Sequence, residues 1–365
     1  MKIIHFYNSL YIGGIDSFLV GMANAMSKTE DVSICTLQPA KEGGVINLLE
    51  DSVSFYTIND TNFSIWNKIN DIFKIARFIQ KNQFDIVHIH AAFNFYILSI
   101  LLFHRNIKFY YTIHSDAVME NGPMSKRLLW IKKLFFKRKL ITPITISQAS
   151  QQSFIKLYNC NSLLIENGIA HPKVTECYNP IQQYKLTNHT RVFTHVGRIC
   201  EAKNQVVLCK VFDRLIQEGK DVVLLIIGPQ EVDYIYQDIK KYLSNRILYL
   251  GSQNNIPDYL VHSDAMCLPS IYEGLPIVLL EAIALGCIPI CAPAGGCVNV
   301  IQDGINGFLS TSPNEEDYYQ IVTKFLSTNA AELEQLKLQC KNSFSKYDIQ
   351  ACTLKHIKCY NNDFT

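Results

Sequence analysis

DAMCLPSIYEGLPIVLLEAIALGCIPI, residues 264–290, contains one full cycle of a repeating pattern. Asp264 to Leu268 is a short apolar run with strand character, and Pro269, Gly274 and Pro276 make the turn that follows. From Ile277 an apolar helix runs to Gly286, where glycine ends it, and Cys287 to Ile290 reads as the next strand. Strand, turn, helix and strand in that order is a βαβ unit, the building block of a parallel sheet.

Outward from this unit the alternation continues. Val192 to Val196, Val222 to Ile227 and Ile247 to Leu250 are further strands of one set. An earlier set comprises Lys2 to Tyr7, Val32 to Leu37, Phe84 to Ile89, Ile107 to Ile113 and Pro143 to Ile146. Residues 171–190 lie between the sets. They are polar, hold Pro172 and Pro180, show no periodicity and read as a linker. The expectation is an α/β protein of two doubly wound parallel-sheet domains, 1–170 and 191–345. Residues 346–365, with a helical stretch at Ile349 to Asn361, close back on the first domain. Ligands of such sheets bind at the C-terminal strand ends, here expected to face an inter-domain cleft.

Composition narrows the class. With 365 residues the chain exceeds what one core usually serves, and 48% apolar against 18% charged residues excludes a disordered chain. The net charge of +2 selects no partner. Twelve cysteines could suggest a disulfide scaffold, but Cys35, Cys200, Cys209, Cys267, Cys287 and Cys291 sit in or beside apolar runs and no CxxC pair occurs. Reduced, buried thiols and no structural zinc are therefore expected, in a reducing compartment. MKIIHFYN reads as a first strand, not a signal peptide, and the apolar stretch Ala91 to Phe103 is too short to span a bilayer.

The chemistry-bearing residues cluster at strand ends. The turn before Ile277 leads into a helix N-terminus, whose free N–H groups and positive dipole end suit a phosphate. Glu273 precedes that helix and Glu281 lies inside it, about 12 Å further on at 1.5 Å per residue. Two carboxylates so spaced are a poor acid/base pair but suit hydroxyls at the two ends of an extended ligand. Glu281 is also readable as a solvated charge, although its neighbours Leu279, Leu280, Ala282 and Ile283 are apolar. In HVGRICEAKNQ, residues 195–205, Gly197 permits close backbone approach. Arg198 and Lys203 bring two cations to a strand end, either as surface charges or to neutralise a leaving diphosphate. Gly13 and Gly14 follow the first strand, with Asp16 or Ser17 available as a cap; the GxGxxG of a dinucleotide fold is absent.

His88 and His90 share one face of a strand, so a metal is conceivable, but no acidic or cysteine ligand lies nearby in sequence. His114 ends the next strand and is the best placed of the three for a substrate. SKRLLWIKKLFFKRKL, residues 125–140, interleaves Lys126, Arg127, Lys132, Lys133, Lys137, Arg138 and Lys139 with Trp130, Phe135 and Phe136. It fits an anionic membrane surface or an ordinary packed helix; without a recognised binding module it does not indicate nucleic acid.

The ordered series YIGGIDSFL, DIVHIH, TIHS, ITISQAS, IENGI, HVGRICEAKNQ, LLIIGP, LGSQNNIPDYLVHSDAMCLPSIYEGLPIVLLEA and AGGCVNVIQDGINGFL resembles the retaining glycosyltransferases of family 4. The resemblance covers roughly residues 3 to 310 and implies the GT-B fold, two facing Rossmann-like domains. It implies that Glu273, with backbone groups of Gly274, Leu275 and Pro276, holds donor-sugar hydroxyls and that Glu281 holds the ribose. Arg198 and Lys203 would grip the diphosphate, Gly14 and Gly197 would approach the phosphates, and His114 would lie near the transferred sugar. The loops at Gly228 and Ile256 would hold the nucleobase through the backbone. Asp16, where the family often has glutamate, and His90 fall on the acceptor side. The implied donor is a UDP- or GDP-linked sugar and no metal is needed. The implied acceptor is a hydroxyl of a glycan or polyprenyl-linked oligosaccharide in surface polysaccharide synthesis. The protein would then be cytoplasmic, held peripherally on the inner membrane face through Lys132, Lys133, Lys137 and Arg138. The same fold also serves epimerases, phosphorylases and non-catalytic sugar-nucleotide-binding modules.

Overall fold

A computed structural model describes residues 1–11, 13–40, 44–58, 65–90, 107–120 and 129–362, without the side chains of 65–71. The chain divides into two compact units, Met1–Ala170 with Asp348–Thr365, and His171–Tyr347. Ala91 to Phe103, expected as a buried helix, lies outside the described residues.

The first unit is built on β1 (Lys2–Tyr7), α1 (Gly14–Met26), β2 (Asp31–Thr36), β3 (Ser54–Thr57), α2 (Ile65–Asn82), β4 (Ile86–His90) and β5 (Lys108–Ile113). α3 (Leu129–Lys137), β6 (Thr142–Thr145), α4 (Gln148–Tyr158) and β7 (Leu163–Leu164) follow. Its seven strands are ordered β3-β2-β1-β4-β5-β6-β7, all neighbours parallel. The side-chain period of two sorts each strand. Ile4 and Phe6 of β1, Val87 and Ile89 of β4, and Phe109, Tyr111 and Ile113 of β5 join one apolar cluster with Phe135, Phe136, Phe154 and Tyr158.

The C-terminal helix Ile349–Tyr360 belongs to this unit. Tyr110 Oη donates to the Cys359 carbonyl at 3.1 Å, and Lys108 Nζ to that of Tyr360 at 2.7 Å. Entry to the helix is fixed at Ile169, whose carbonyl accepts from Ile349 N at 2.9 Å. A side chain at the neighbouring Gly168 would meet the Asp348 carbonyl and Cys352 Cβ, each at 2.8 Å.

The second unit holds β8 (Arg191–Val196), α5 (Gln205–Gln217), β9 (Val222–Ile227), α6 (Asp233–Lys240), β10 (Ile247–Tyr249), α7 (Ile256–His262), β11 (Ala265–Leu268), α8 (Ile277–Leu285) and β12 (Ile288–Cys291). α9 (Cys297–Val300), β13 (Phe308–Leu309), α10 (Glu315–Ser327) and α11 (Ala330–Ser343) complete it. The order is β10-β9-β8-β11-β12-β13, again parallel throughout. VVLLII of β9 is buried along its whole length, the signature of a strand covered on both faces. Phe193, Leu224, Ile226, Cys267 and Ile290 pack on one side with Phe212, Tyr318 and Phe325; Val192, Val223, Leu225 and Ile227 pack on the other with Tyr259.

Residues 171–190, expected as a linker, lie within this unit. Ile181 is fully buried in the cluster of Val192 and Tyr259, and Thr175 N donates to Asp258 Oδ1 at 2.7 Å. One buried side chain and one side-chain to backbone bond anchor a segment whose polar composition hides both. In each sheet the strand order reverses beside the first strand entered, between β1 and β4 and between β8 and β11, which is where open α/β sheets bind ligands.

Candidate active site

In the second unit, β8 and β9 leave the sheet side by side. Gly197 N donates to the Ile227 carbonyl at 2.9 Å. Gly228 has φ +145 and a Cβ there would overlap the Gly197 carbonyl, so this approach requires glycine. The loop continues through a turn of 3₁₀ helix, Glu201–Lys203, to Asn204 in the left-handed region, and α5 starts at Gln205. Asn204 Nδ2 donates to the carbonyls of Pro269 (3.2 Å) and Pro313 (2.8 Å), and Ile271 N donates to that of Ala202 at 2.8 Å. These bonds tie the loop after β8 to the loop after β11.

Lys203 and Glu273 therefore meet. Lys203 Nζ donates to Glu273 Oε1 at 2.6 Å, and Ser270 Oγ donates to the same oxygen at 2.7 Å. Both charged groups are largely removed from solvent, with side-chain exposures of 16% and 8%. From below, Gly296 N donates to the Gly274 carbonyl at 2.7 Å, and Gly295, at φ +49, leaves room for the Glu273 carbonyl that any Cβ would overlap. Leu275 is buried, and Pro276 starts α8 without a side-chain cap, so the first N–H groups of that helix are open to an anion. Glu281 lies one turn in and half-buried, and burial pushes its carboxyl up to about 7.

Arg198 behaves differently from Lys203. It is exposed, and its Nη1 lies 2.6 Å from both carboxylate oxygens of the equally exposed Glu231. The two cations share one loop, but only Lys203 reaches Glu273. Gly228 N donates to the Gly251 carbonyl at 2.9 Å, which sets the loop at Gly228 beside the one leading to Ile256, the first residue of α7.

Two supporting residues carry no role in the sequence reading. His195, fully buried, donates from Nδ1 to the Cys267 carbonyl at 2.9 Å, and burial lowers it to about 4. Gln205 donates from Nε2 to the Arg198 carbonyl at 2.7 Å, fixing that loop from inside. Polar residues within an apolar strand and at a helix start, as here, are the signal that finds them.

In the first unit α1 begins at Gly14, with Gly13 as its N-cap. Neither Asp16 nor Ser17 occupies the capping position; Asp16 Oδ1 instead reaches back to accept from Tyr11 N at 3.1 Å. Gly13 makes this possible, because a Cβ there would press on the Asp16 carboxylate. Burial raises the Asp16 carboxyl above its ordinary value.

His114, just past β5, is held by its backbone. Its N–H donates to Glu120 Oε2 at 2.8 Å, while Glu120 Oε1 accepts from Tyr111 Oη at 2.9 Å. Burial raises the Glu120 carboxyl, and Lys132 opposes that rise. Lys132, expected on a membrane-facing surface, is buried with its ammonium 5.1 Å from the Tyr111 ring centroid. On α3 it shares the inward face with Phe135 and Phe136 by helical spacing, whereas Lys137 and Arg138 are exposed and Lys133 is half-exposed. Lys126 and Arg127 lie outside the described residues.

His90 and His114 are joined, Nδ1 to Nε2, at 3.0 Å. His88 is fully engaged, with Nδ1 2.6 Å from Tyr360 Oη and Nε2 2.7 Å from Thr112 Oγ1. His5, paired with His88 in the sheet register, brings a third imidazole that sequence spacing did not reveal. Nitrogens of His5, His88 and His90 lie within 4.8 Å of one another. With both His88 nitrogens bonded elsewhere and His5 bonded to His90 at 3.0 Å, their lone pairs do not converge on a cation.

Known proteins resemble this chain in sequence and in fold. Residues 12–171 match the model of Glycosyltransferase Family 4, and residues 180–342 that of Glycosyl transferases group 1. The chain is 24% identical to the UDP-Gal:alpha-D-GlcNAc-diphosphoundecaprenol alpha-1,3-galactosyltransferase of Escherichia coli, over 83% of this chain and 82% of that one. It is 23% identical to the capsular polysaccharide biosynthesis glycosyltransferase CapH of Staphylococcus aureus, over 80% and 81%. The fold is that of Anabaena HepE in complex with UDP and glucose, with a TM-score of 0.82 at 19% identity over 99% of this chain and 100% of that one. Two parallel α/β units of this topology are the GT-B fold. The chain belongs to the family 4 glycosyltransferases, with a group 1 glycosyl transferase sequence as its second half.

Proposed function

We propose that the protein transfers a sugar, with retention of anomeric configuration, from a UDP-linked donor to a hydroxyl of a lipid-linked glycan in surface polysaccharide synthesis. The observation that carries this reading is the Lys203–Glu273 pair at 2.6 Å, set before the uncapped start of α8, whose next turn bears Glu281. Glu273 accepts from hydroxyls of the donor sugar, and Glu281 accepts from the ribose. Lys203, Arg198 and the first N–H groups of α8 take up the charge that grows on the leaving diphosphate, so that transfer proceeds without a metal. The bond between the anomeric carbon and the phosphate oxygen breaks, a bond to the acceptor oxygen forms on the same face, and the acceptor proton passes to the departing phosphate. His114 donates to a hydroxyl of the transferred sugar and Asp16 lies on the acceptor side, whereas His90, expected there as well, is fully buried with both ring nitrogens bonded to His5 and His114 and touches no acceptor.

Relatives favour this donor and acceptor: one is named for UDP-Gal and a diphosphoundecaprenol acceptor, another for capsular polysaccharide. A cytoplasmic, peripheral placement follows from the acceptor's lipid and from α3. There Trp130 and Leu134 are exposed beside Lys133, Lys137 and Arg138. No helix among the described residues is long and apolar enough to cross a membrane.

Thermal shift with UDP, GDP, ADP and CMP and their sugars, on wild type and Glu281→Ala, tests donor binding. A ligand at 100 times its Kd stabilises by about 2.7 kcal/mol. The expected result is a shift with uridine nucleotides that weakens in the variant. No shift with any nucleotide sinks the reading, and a β-linked product from an α-linked donor sinks retention.

A further inference from the structure

The second face of the first sheet is unusual in what it buries. By the strand period, His5, His88, His90, Tyr110, Thr112 and His114 all point to it, and the four histidines are at most 6% exposed. Three of them form a line. His5 Nδ1 is 3.0 Å from His90 Nε2, and His90 Nδ1 is 3.0 Å from His114 Nε2.

A neutral imidazole has one N–H and one lone pair, so each link fixes the next. Burial lowers His5 and His114 to about 3 and His90 well below the ordinary value, so all three are neutral near pH 7. Such a chain has two states, with every N–H directed one way or every N–H directed the other. One state leaves an N–H at His5 Nε2, the other at His114 Nδ1. Neither atom has a hydrogen-bond partner among the described residues. A buried N–H without a partner is rarer in proteins than an unused acceptor. Both end nitrogens are buried, but His5 lies inside β1, whereas His114 directly follows the C-terminal end of β5, the sheet edge at which open α/β sheets bind ligands. The favoured state has His5 donate to His90 and His90 donate to His114 Nε2. The N–H is then left on His114 Nδ1.

We propose that His5 and His90 are positioning residues that hold His114 in its Nδ1–H tautomer, so that it offers a neutral donor to a hydroxyl of the transferred sugar. The tautomer follows from the chain alone; its use on a sugar rests on the function proposed above.

Long-range proton–nitrogen NMR on protein labelled at histidine nitrogens reads the tautomers without substrate. His114 should be protonated at Nδ1 in wild type; an Nε2–H tautomer there overturns the proposal whatever the variants do. Two substitutions follow. His90→Gln keeps an acceptor for His5 and a donor for His114, because an amide spaces its oxygen and nitrogen much as imidazole spaces its nitrogens. His90→Leu keeps volume and removes both. The Gln variant should retain the Nδ1–H signal and kcat/KM within about threefold. The Leu variant should give a mixed or reversed His114 tautomer and lose about tenfold, the scale of one hydrogen bond. A merely structural His90 would make the Gln and Leu variants equally poor, or leave the His114 tautomer unchanged in both, and either result overturns the proposal. Turnover is read with UDP-glucose, UDP-galactose and UDP-N-acetylglucosamine. If wild type uses none of them the transferase reading is what fails, and the NMR result still decides the chain.

Discussion

Glu281 concentrates the electrostatics of the proposed donor site in one carboxyl. Burial holds it at about 7, against 4.5 for an exposed glutamate. The folded protein therefore binds more protons than the unfolded chain between those values, so this group's contribution to stability is present at low pH and is lost as pH rises through 7. Ribose hydroxyls need the ionised form as acceptor, so binding should move the opposite way. UDP affinity is expected to rise from pH 6 to pH 8 in wild type. In Glu281→Gln that rise should flatten, with binding at pH 8 weaker by about tenfold, as for loss of a hydrogen bond to a charged group. Ionisation of the nucleotide itself is common to both proteins, so calorimetric titration of the pair isolates Glu281. Parallel pH profiles in the two would remove it from the ribose. Lys203 and Glu273 are the complementary case, two opposite charges held together by the loops that carry them.

Those loops depend on elements whose only task is to leave space. Gly295, at φ +49, lies against the Glu273 carbonyl, while Gly219, at φ +79, has nothing within 4 Å of where a Cβ would stand. Both alanine variants incur the left-handed penalty of about 1–2 kcal/mol. Gly295→Ala must also displace Glu273, and a shift of about 1 Å can cost 100-fold in rate. Equal activity in the two variants would show that the floor under Glu273 is irrelevant. A second element, α3, gives a test of the membrane contact. Lys133→Glu with Lys137→Glu and Arg138→Glu should abolish sedimentation with phosphatidylserine vesicles, at about 1 kcal/mol per cation. Retained binding would remove α3 from the membrane, and Lys132 is no part of that test because it is buried.

The same elements show what the sequence makes legible. Strands such as VVLLII are readable because burial on both faces demands unbroken apolar runs. Ser54–Thr57, Leu163–Leu164 and Phe308–Leu309 are missed because two to four residues of mixed character carry no period. Glu273, Glu281, Arg198 and Lys203 are singled out by motif. The pairing of Lys203 rather than Arg198 with Glu273 depends on tertiary bonds through Asn204 and Ala202, which no local pattern records. Lys132 is misread because a helix rich in cations looks wet all round, and His5 is missed because a lone histidine in a first strand has no neighbour until the sheet supplies one.

At the scale of the whole molecule, the chain leaves the first unit at Ala170 and returns to it at Asp348, so eighteen C-terminal residues complete a fold begun far upstream. The returning helix is substantial. Ile349, Cys352, Thr353, His356, Cys359 and Tyr360 are all buried, and Tyr360 carries the hydrogen bond to His88. A fully buried large apolar side chain contributes about 1.5–3 kcal/mol, and a whole domain is stable by only about 5–15 kcal/mol. Removing residues 348–365 should therefore unfold or severely weaken the first unit. The second unit has its own two apolar clusters, all within His171–Tyr347, and loses nothing from them. Calorimetry of the truncated chain should show the transition of the second unit near its wild-type temperature and the first lost or shifted far down. Nucleotide binding, assigned to Lys203, Glu273 and Glu281, should survive. A truncated chain in which both units melt as before would mean that the helix is an appendage. One in which both collapse would mean that the second unit depends on the first for its stability.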